Sequence, residues 1–176
     1  MASGSLLTKI HKSYQEFSKL GLVPTTPWKI HGAQATGCSP ITAAQKAGLD
    51  FFKPQKPNTI AKSLAIGTPA DGFYSLKVMK ESHGHAEDVT DDEIRDAIKL
   101  LAECEGIFAE TAGGVTVGVA KKLIASGKIP AKDSAVLCIT GNGLKTLDAV
   151  APTSQPTFTI SPSYDDFEAN YAGVSA

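Results

Sequence analysis

A short run of apolar residues at 135–139 constrains the fold of this chain more than any other stretch. The run is rich in branched side chains and lies between Asp133 and Gly141, a pattern typical of a strand buried on both faces of a parallel sheet. A polar turn, Thr140-Gly141-Asn142-Gly143, follows it directly. Ligands in open α/β sheets bind beyond the carboxyl ends of the strands, so Thr140 is a candidate ligand-binding residue. A tight turn without any ligand accounts for the same glycines.

Strand-like and helix-like segments alternate along the rest of the chain. Apolar spacing predicts helices at 6–21, 41–47, 59–66, 73–79, 94–102 and 115–126, and strands at 28–34, 86–89, 107–109 and 135–139. This order predicts an α/β fold with a partial, open and mainly parallel sheet flanked by helices. Small-residue turns at 35–39, 111–114 and 140–143 are expected on one edge of that sheet.

The last part of the chain differs in composition from the rest. Residues 1–150 are predicted to form one domain, and 151–176 form an extended tail rich in proline, serine and threonine. The tail is expected to cover the domain through Phe158, Ile160 and Tyr164.

Composition excludes several classes of function. The 176 residues carry 17 basic and 18 acidic side chains, so no charge excess favours nucleic acid or an anionic membrane. No apolar run approaches the roughly 20 residues of a membrane span, and no signal peptide is visible, so a cytoplasmic protein is expected. Neither the three widely spaced cysteines nor the pair His83 and His85 has the spacing of a metal site, and no metal is predicted.

The chain begins with a loop of small residues that runs straight into a helix. Serine and glycine at a helix N-terminus leave backbone N–H groups free beside the positive end of the helix dipole, which is a ready phosphate site. A frayed terminus with Ser3 or Ser5 as a helix cap explains the same residues. Farther along, Thr90-Asp91-Asp92-Glu93 fits a capping box, so its acids are interpreted as a helix start and not as catalytic groups.

Several longer stretches, taken together, resemble one enzyme family. They are Ser3-Gly-Ser-Leu-Leu-Thr-Lys-Ile10, Gly32-Ala-Gln-Ala-Thr-Gly-Cys-Ser-Pro40, Lys56-Pro-Asn-Thr-Ile-Ala-Lys-Ser-Leu-Ala-Ile-Gly67, Pro69-Ala-Asp-Gly72, Glu105-Gly-Ile-Phe-Ala-Glu-Thr-Ala-Gly-Gly114 and Ile139-Thr-Gly-Asn-Gly-Leu-Lys145. In this order the chain resembles the C-terminal part of threonine synthase, a pyridoxal-phosphate enzyme of the tryptophan-synthase-β fold type. The resemblance covers about residues 1–150 and leaves out the tail.

The resemblance implies a reaction and a cofactor site. The family converts O-phospho-L-homoserine and water to L-threonine and phosphate with pyridoxal 5'-phosphate as electron sink. By similarity, Thr140 would bond the pyridine nitrogen, and the cofactor phosphate would meet the backbone of a loop formed by Ala2, Ser3, Gly4, Ser5 and Leu6. Many relatives have a Gly-Asn-x-Gly-Asn pattern there, so only backbone roles carry over.

The departures from the family are as informative as the matches. The family's Schiff-base lysine lies in a Ser-x-Lys-Asp-type motif upstream of the phosphate loop, and this chain has no such motif; Lys9, Lys12, Lys62 and Lys145 do not match it. No catalytic residue is therefore assigned, and the chain alone is expected to be inactive. A missing N-terminal part or a second chain is the expected partner, and a homodimer stays open.

Two other functions fit the sequence. One is a fragment of a related serine or threonine dehydratase. The other is a non-catalytic module of the same fold that binds a ligand or a partner.

Overall fold

The computed structural model describes residues 1–151 and 159–171. The α-helices are α1 (Ser5–Lys19), α2 (Pro40–Lys46), α3 (Gly72–Glu81), α4 (Asp91–Glu105), α5 (Thr111–Ala125), α6 (Leu147–Val150) and α7 (Tyr164–Tyr171), and the strands are β1 (Gly32–Ala35) and β2 (Ala86–Val89). Short 3-10 helices occupy Lys62–Leu64 and Gly143–Thr146.

The two strands form a small parallel sheet. Gly32 pairs with Ala86 and Ala35 with Val89, and α2 and α3 lie between the strands in the chain. A parallel pair needs such a crossover connection, because the chain must return to the same edge before the second strand begins. The predicted α/β class with a partial, open, parallel sheet flanked by helices is therefore confirmed.

A capping box starts α4, as predicted. Thr90 Oγ1 accepts a hydrogen bond from the Glu93 amide at 3.3 Å, and Glu93 Oε2 accepts one from the Thr90 amide at 2.8 Å. Behind the box, α4 packs its apolar face on α5, and the residues buried in α4 are Ile94, Ala97, Ile98 and Leu101. In turn, α5 packs on both strands of the sheet.

A second apolar cluster joins α1, α2 and α3 to β2. Leu7, Ile41, Leu76 and Met79 are buried in it. Gln34 on β1 is fully buried beside this cluster, and its Oε1 accepts a hydrogen bond from the Thr42 amide at 2.9 Å. The buried amide is thus satisfied by the start of α2, which fixes that helix on the sheet.

The strand predicted at 135–139 is wrong. The segment has no regular secondary structure, and Val136 is 92% exposed. A strand forms only where a neighbour supplies hydrogen-bond partners, and among the described residues only β1 and β2 pair into a sheet. The apolar run at 135–139 also predicted burial on both faces, and the described residues do not bury it.

Other element predictions need smaller corrections. The helix predicted at 59–66 is only the 3-10 turn Lys62–Leu64, because the Leu64 and Ala65 amides bond carbonyls three residues back and the Ile66 amide bonds the Leu64 carbonyl. The strand predicted at 28–34 is displaced to Gly32–Ala35, and that at 107–109 is a single bridge from Ala109 to Asn142. The predicted turn at 111–114 is the first turn of α5.

Two compact units make up the chain, Met1–Thr146 and Leu147–Ala176. In the second unit, the Ser161 amide donates to Asp166 Oδ2 at 2.7 Å and the Asp166 amide donates to Ser163 Oγ at 3.1 Å. These bonds start α7, a helix that the sequence did not predict. Phe158, predicted to anchor a tail, lies outside the described residues. None of the described helices is both long and apolar enough to cross a bilayer.

Candidate functional site

The loop before α1 turns sharply at Gly4. Gly4 is the N-cap residue and has φ +93°, a left-handed conformation that side chains with a Cβ rarely adopt. A Cβ at this position would also lie 2.1 Å from Ser75 Oγ and 2.9 Å from the Asp71 carbonyl oxygen. Both conformation and space therefore require glycine here.

The start of α3 holds this loop in place. The Asp71 amide donates to the Ser3 carbonyl at 2.9 Å, and Ser75 Oγ donates to the Gly4 carbonyl at 3.4 Å. Asp71 and Ser75 were not among the residues predicted for the site. Asp71 lies in the stretch Pro69-Ala-Asp-Gly72, which belongs to the family resemblance but has no motif chemistry of its own, and no sequence signal marked Ser75.

The N-terminus of α1 has the features of an anion site. No side chain caps it in the part of the chain that the structure describes, and its first turn has no acidic residue. The Thr8 amide already bonds the Gly4 carbonyl at 3.1 Å, which leaves the earlier amides of the helix for a ligand. Free N–H groups and an uncompensated helix dipole fit a phosphate group.

Thr140 lies beside a turn that packs on the residues leading into α5. The Glu110 amide donates to the Gly141 carbonyl at 3.0 Å. The Glu110 side chain fills the space over Gly141, where a Cβ would come within 2.1 Å of Glu110 Oε1. Thr140 itself is exposed, so its hydroxyl is accessible to a ligand. Glu110 is a buried carboxyl group next to Thr140 that the sequence analysis did not single out.

One cleft brings the predicted site residues together. Its volume is about 1500 Å³, and its lining includes Thr140 and the whole loop 2–6. Ala112 and Thr116 of α5 also line it. The two predicted parts of the site, 134 residues apart in sequence at their closest, thus face a common space. Contact of these residues with a cofactor remains a prediction.

The cleft also contains side chains that the sequence analysis did not assign to it. Three lysines are among its lining residues, namely Lys29, Lys128 and Lys132. Trp28, the single tryptophan of the chain, lines it as well and stacks on Tyr14 with ring centroids 4.0 Å apart. No sequence motif marked these positions, because the fold alone brings them to the cleft.

The amino group of Met1 is buried beside the same loop. It donates to the Ala33 carbonyl of β1, and burial lowers its pKa from 8.0 to about 6. Met1 therefore connects the loop to the sheet, and this connection is sensitive to the charge of the amine.

Histidines and cysteines show no metal-binding arrangement among residues 1–151 and 159–171. His85 faces His31 across the start of the sheet, whereas His83 is exposed on the preceding turn. Cys38 is buried, and burial raises the pKa of its thiol; Cys104 and Cys138 are exposed.

Comparison with known proteins identifies the class. The chain belongs to the family of pyridoxal-phosphate dependent enzymes, whose model matches residues 1–141. Two parts of the structure fit such a cofactor: the N-terminus of α1, which has the features of a phosphate site, and the cleft.

Particular relatives narrow the resemblance to threonine synthases. That of Methanocaldococcus jannaschii is 39% identical over 156 residues, which cover 88% of this chain and 38% of that enzyme. That of Methanosarcina acetivorans is 37% identical over 161 residues, covering 90% of this chain and 39% of that enzyme. The predicted resemblance to threonine synthase is confirmed. The chain spans less than two-fifths of the length of these relatives.

Solved structures share the fold. A fungal L-serine ammonia-lyase from Rhizomucor miehei matches with a TM-score of 0.66 at 22% identity, covering 88% of this chain and 48% of that chain. Maize serine racemase matches with a TM-score of 0.58 at 17% identity, covering 99% of this chain and 46% of that chain. At these identities the likeness concerns the fold alone.

Proposed function

We propose that this chain is the C-terminal part of a threonine synthase, in which it binds one side of pyridoxal 5'-phosphate. The complete enzyme would convert O-phospho-L-homoserine and water to L-threonine and phosphate. The observation that carries the proposal is the shared cleft, because loop 2–6 and Thr140 were predicted from separate family motifs and line the same space.

The loop would hold the cofactor phosphate through its backbone. Gly4 sets the turn, and α3 fixes it through Asp71 and Ser75. The amides at the start of α1 then point to one place before any ligand arrives, so little ordering is needed on binding. The positive end of the helix dipole favours the dianionic phosphate group.

Thr140 would bond the pyridine nitrogen. When bound, the cofactor supplies an electron sink that stabilises negative charge on the substrate carbons during β,γ-elimination. A threonine hydroxyl can donate a hydrogen bond to that nitrogen without a formal charge. A carboxylate there would favour a protonated ring, so Thr140 sets a weaker electron demand than an acidic residue would.

A complementary polypeptide would complete the active site. The chain has no lysine in the family's cofactor-binding motif, and the relatives are more than twice its length. The apolar segment at 135–139 is the surface on which such a polypeptide would pack, with Val136 at 92% and Leu137 at 41% exposure. We therefore expect no threonine formation by this chain alone, since the lysine cannot be replaced by orientation of the remaining groups.

A serine or threonine dehydratase is the second candidate. A fungal L-serine ammonia-lyase with the same fold supports it as an alternative. The sequence identity to threonine synthases, 37–39%, is well above the 22% to that structure and supports the first candidate.

Cofactor capture by the purified chain tests the proposal. Pyridoxal phosphate is titrated while fluorescence of Trp28 is followed, and pyridoxal without the phosphate is the matched control ligand. Saturable quenching by pyridoxal phosphate and much weaker quenching by pyridoxal are expected. Equal quenching by both would mean that loop 2–6 does not hold the phosphate.

Borohydride reduction and peptide mapping then locate any lysine adduct. Scattered labelling is expected, including at the cleft residues Lys29, Lys128 and Lys132. A single stoichiometric adduct would show that the chain carries its own reactive lysine, and the proposed dependence on a second polypeptide would be wrong.

Co-expression with the N-terminal part of a threonine synthase decides between the substrates. The mixture is assayed with O-phospho-L-homoserine, L-serine and L-threonine. Threonine and phosphate formed from the first substrate support threonine synthase, whereas ammonia released only from the other two would support the dehydratase.

A further inference from the structure

Two histidines meet at the amino edge of the sheet, opposite the edge at which β1 and β2 end. His31 directly precedes Gly32 of β1, and His85 directly precedes Ala86 of β2. Their ring centroids are 5.9 Å apart, with 30° between the ring planes. The His85 amide donates to His31 Nδ1 at 3.1 Å. Because Nδ1 accepts this bond, the neutral ring carries its proton on Nε2 and can donate there.

Two lysines place positive charge on the same pair of rings. Burial, the neighbouring His85 and the charge of Lys29 lower the pKa of His31. Burial and then the charges of Lys128 and Lys29 lower the pKa of His85. No described carboxylate offsets these effects on either ring.

These lysines differ from the others near the sheet. Lys46 forms salt bridges with Glu87 and Asp88, and Lys80 forms one with Asp50 at 3.0 Å. Within the described residues, neither Lys29 nor Lys128 forms a salt bridge, although both line the cleft with His31. The acids that share the cleft lining are Glu81 and Asp133, and Glu81 lies 3.8 Å from Lys77.

The group formed by Lys29, His31, His85 and Lys128 can donate hydrogen bonds and carries uncompensated positive charge at neutral pH. Ammonium groups repel a metal cation, so a metal site is excluded on chemical grounds. Two ammonium groups and an imidazole N–H suit a small dianion with several oxygens.

We propose that this group is a second binding site, for a small oxyanion of the phosphate class, at the amino edge of the sheet. It uses none of the residues proposed to hold the cofactor, so it goes beyond the proposed function and does not depend on it. Binding there would offset the uncompensated charge of the two lysines that the fold brings together beside these rings.

Histidine ring signals in NMR spectra test this proposal on the full chain. The chain has only four histidines, so the ring signals of His31 and His85 can be followed separately. Inorganic phosphate is titrated, and acetate at equal ionic strength is titrated in parallel as a monoanion control. Saturable movement of the His31 and His85 signals is expected, together with a rise of about half to one unit in their pKa values as the bound charge favours the imidazolium.

Lysine variants show whether the effect belongs to this site. Lys128→Gln should weaken phosphate binding about tenfold, because one of two ammonium contacts is lost. Lys121→Gln is the matched control, since Lys121 is exposed on α5 and does not line the cleft. His85→Gln provides a second variant that removes one ring, and thermal unfolding of each variant verifies the fold.

Several outcomes would overturn the proposal. Ring signals that do not move, or that move without saturation, would exclude a site. Equal losses in Lys128→Gln and Lys121→Gln would show nonspecific screening by salt. Acetate acting as strongly as phosphate would contradict recognition of a dianion.

Discussion

Two regions of the same cleft differ in how completely the chain supports them. Loop 2–6 is fixed on several sides: α1 begins in it, α3 bonds its carbonyls, and Met1 bonds the sheet. The segment at 135–140 has the more typical strand sequence, yet it is exposed for most of its length. Both face the space in which we propose that the cofactor binds.

The difference shows what an apolar pattern specifies. Side chains determine which face of a segment must be buried, but pairing partners determine whether it becomes a strand. A glycine turn on a helix needs only local bonds and a neighbouring helix. Loop 2–6 is therefore preorganised within this chain. The segment at 135–140 would need contacts that the described residues do not supply.

Gly4→Ala tests the preorganised loop 2–6 and should have the largest effect on the free energy of unfolding. The left-handed φ of +93° and the contacts with Ser75 and Asp71 both oppose a Cβ. Together they should lower the free energy of unfolding by about 3–4 kcal/mol in a urea titration.

Gly21→Ala is the matched control for that substitution. Gly21 also has a left-handed φ, +70°, but no heavy atom lies within 4 Å of a Cβ built there. Only conformational strain applies, and a loss of about 1–2 kcal/mol is expected. Equal losses at positions 4 and 21 would mean that the contacts with α3 do not confine the loop.

The buried amine of Met1 should make the loop region sensitive to pH. Its pKa is lowered to about 6 in the folded chain from 8.0. Between these values the unfolded chain binds the proton and the folded chain does not, so stability falls as the pH falls from 8 to 6. The loss is about 2–3 kcal/mol in total, and about half of it occurs above pH 7.

The loss of stability that occurs above pH 7 can be assigned to the Met1 amine and not to the histidines. The pKa values of His31 and His85 are lowered from 6.5, so those rings affect stability only at lower pH. Labelling of the α-amine at a series of pH values, in buffer and in urea, measures its pKa directly. The same pKa in both conditions would contradict the burial of this group.

Substitution of two valines compares the buried face of α5 with the exposed segment at 135–139. Val115 on α5 is fully buried, and Val136 is 92% exposed. Val115→Ala should lower the free energy of unfolding by about 2 kcal/mol, because two methyl groups leave a packed core. Val136→Ala should change it by less than about 0.5 kcal/mol.

The Val136 result would change if the segment were already packed in solution. A loss at Val136 as large as that at Val115 would show that a second copy or another surface covers residues 135–139. In the co-expressed complex with an N-terminal polypeptide, we expect Val136→Ala to weaken association while the isolated chain remains unaffected.

Elements with local signals could be predicted from the sequence. The capping box placed α4 correctly, and the turn and spacing around α1, α2 and α3 placed those helices within a few residues. Predictions failed where contacts with distant parts of the chain accompany a different local structure. At 59–66 only a 3-10 turn forms, and the Ile60 amide bonds Asp91 of α4, a tertiary contact that no local pattern reveals.

The site could be predicted only in part for the same reason. Family motifs marked loop 2–6 and Thr140, and the structure brings both to one cleft. Ser75, Glu110 and Lys128 reach that region through tertiary packing, and none belongs to a motif with its own chemistry. A short polar motif in the sequence indicates which chemistry a residue can perform, whereas the fold determines which other residues it contacts.

Thr140→Ala should have the smallest effect on stability and a clear effect on the cofactor. Thr140 is exposed, so we expect the free energy of unfolding to change by less than about 0.5 kcal/mol. Loss of one hydrogen bond to the pyridine nitrogen should weaken pyridoxal phosphate binding about three- to tenfold, measured by quenching of Trp28. Thr140→Ser keeps the hydroxyl and should restore most of the affinity. Thr116→Ala is the control in the same cleft, because the Thr116 hydroxyl already donates to the Ala112 carbonyl at 3.1 Å. If Thr116→Ala weakened binding as much as Thr140→Ala, or if neither did, the ring nitrogen would not be bonded by Thr140, and the exposed segment would contribute only its apolar face to the cleft.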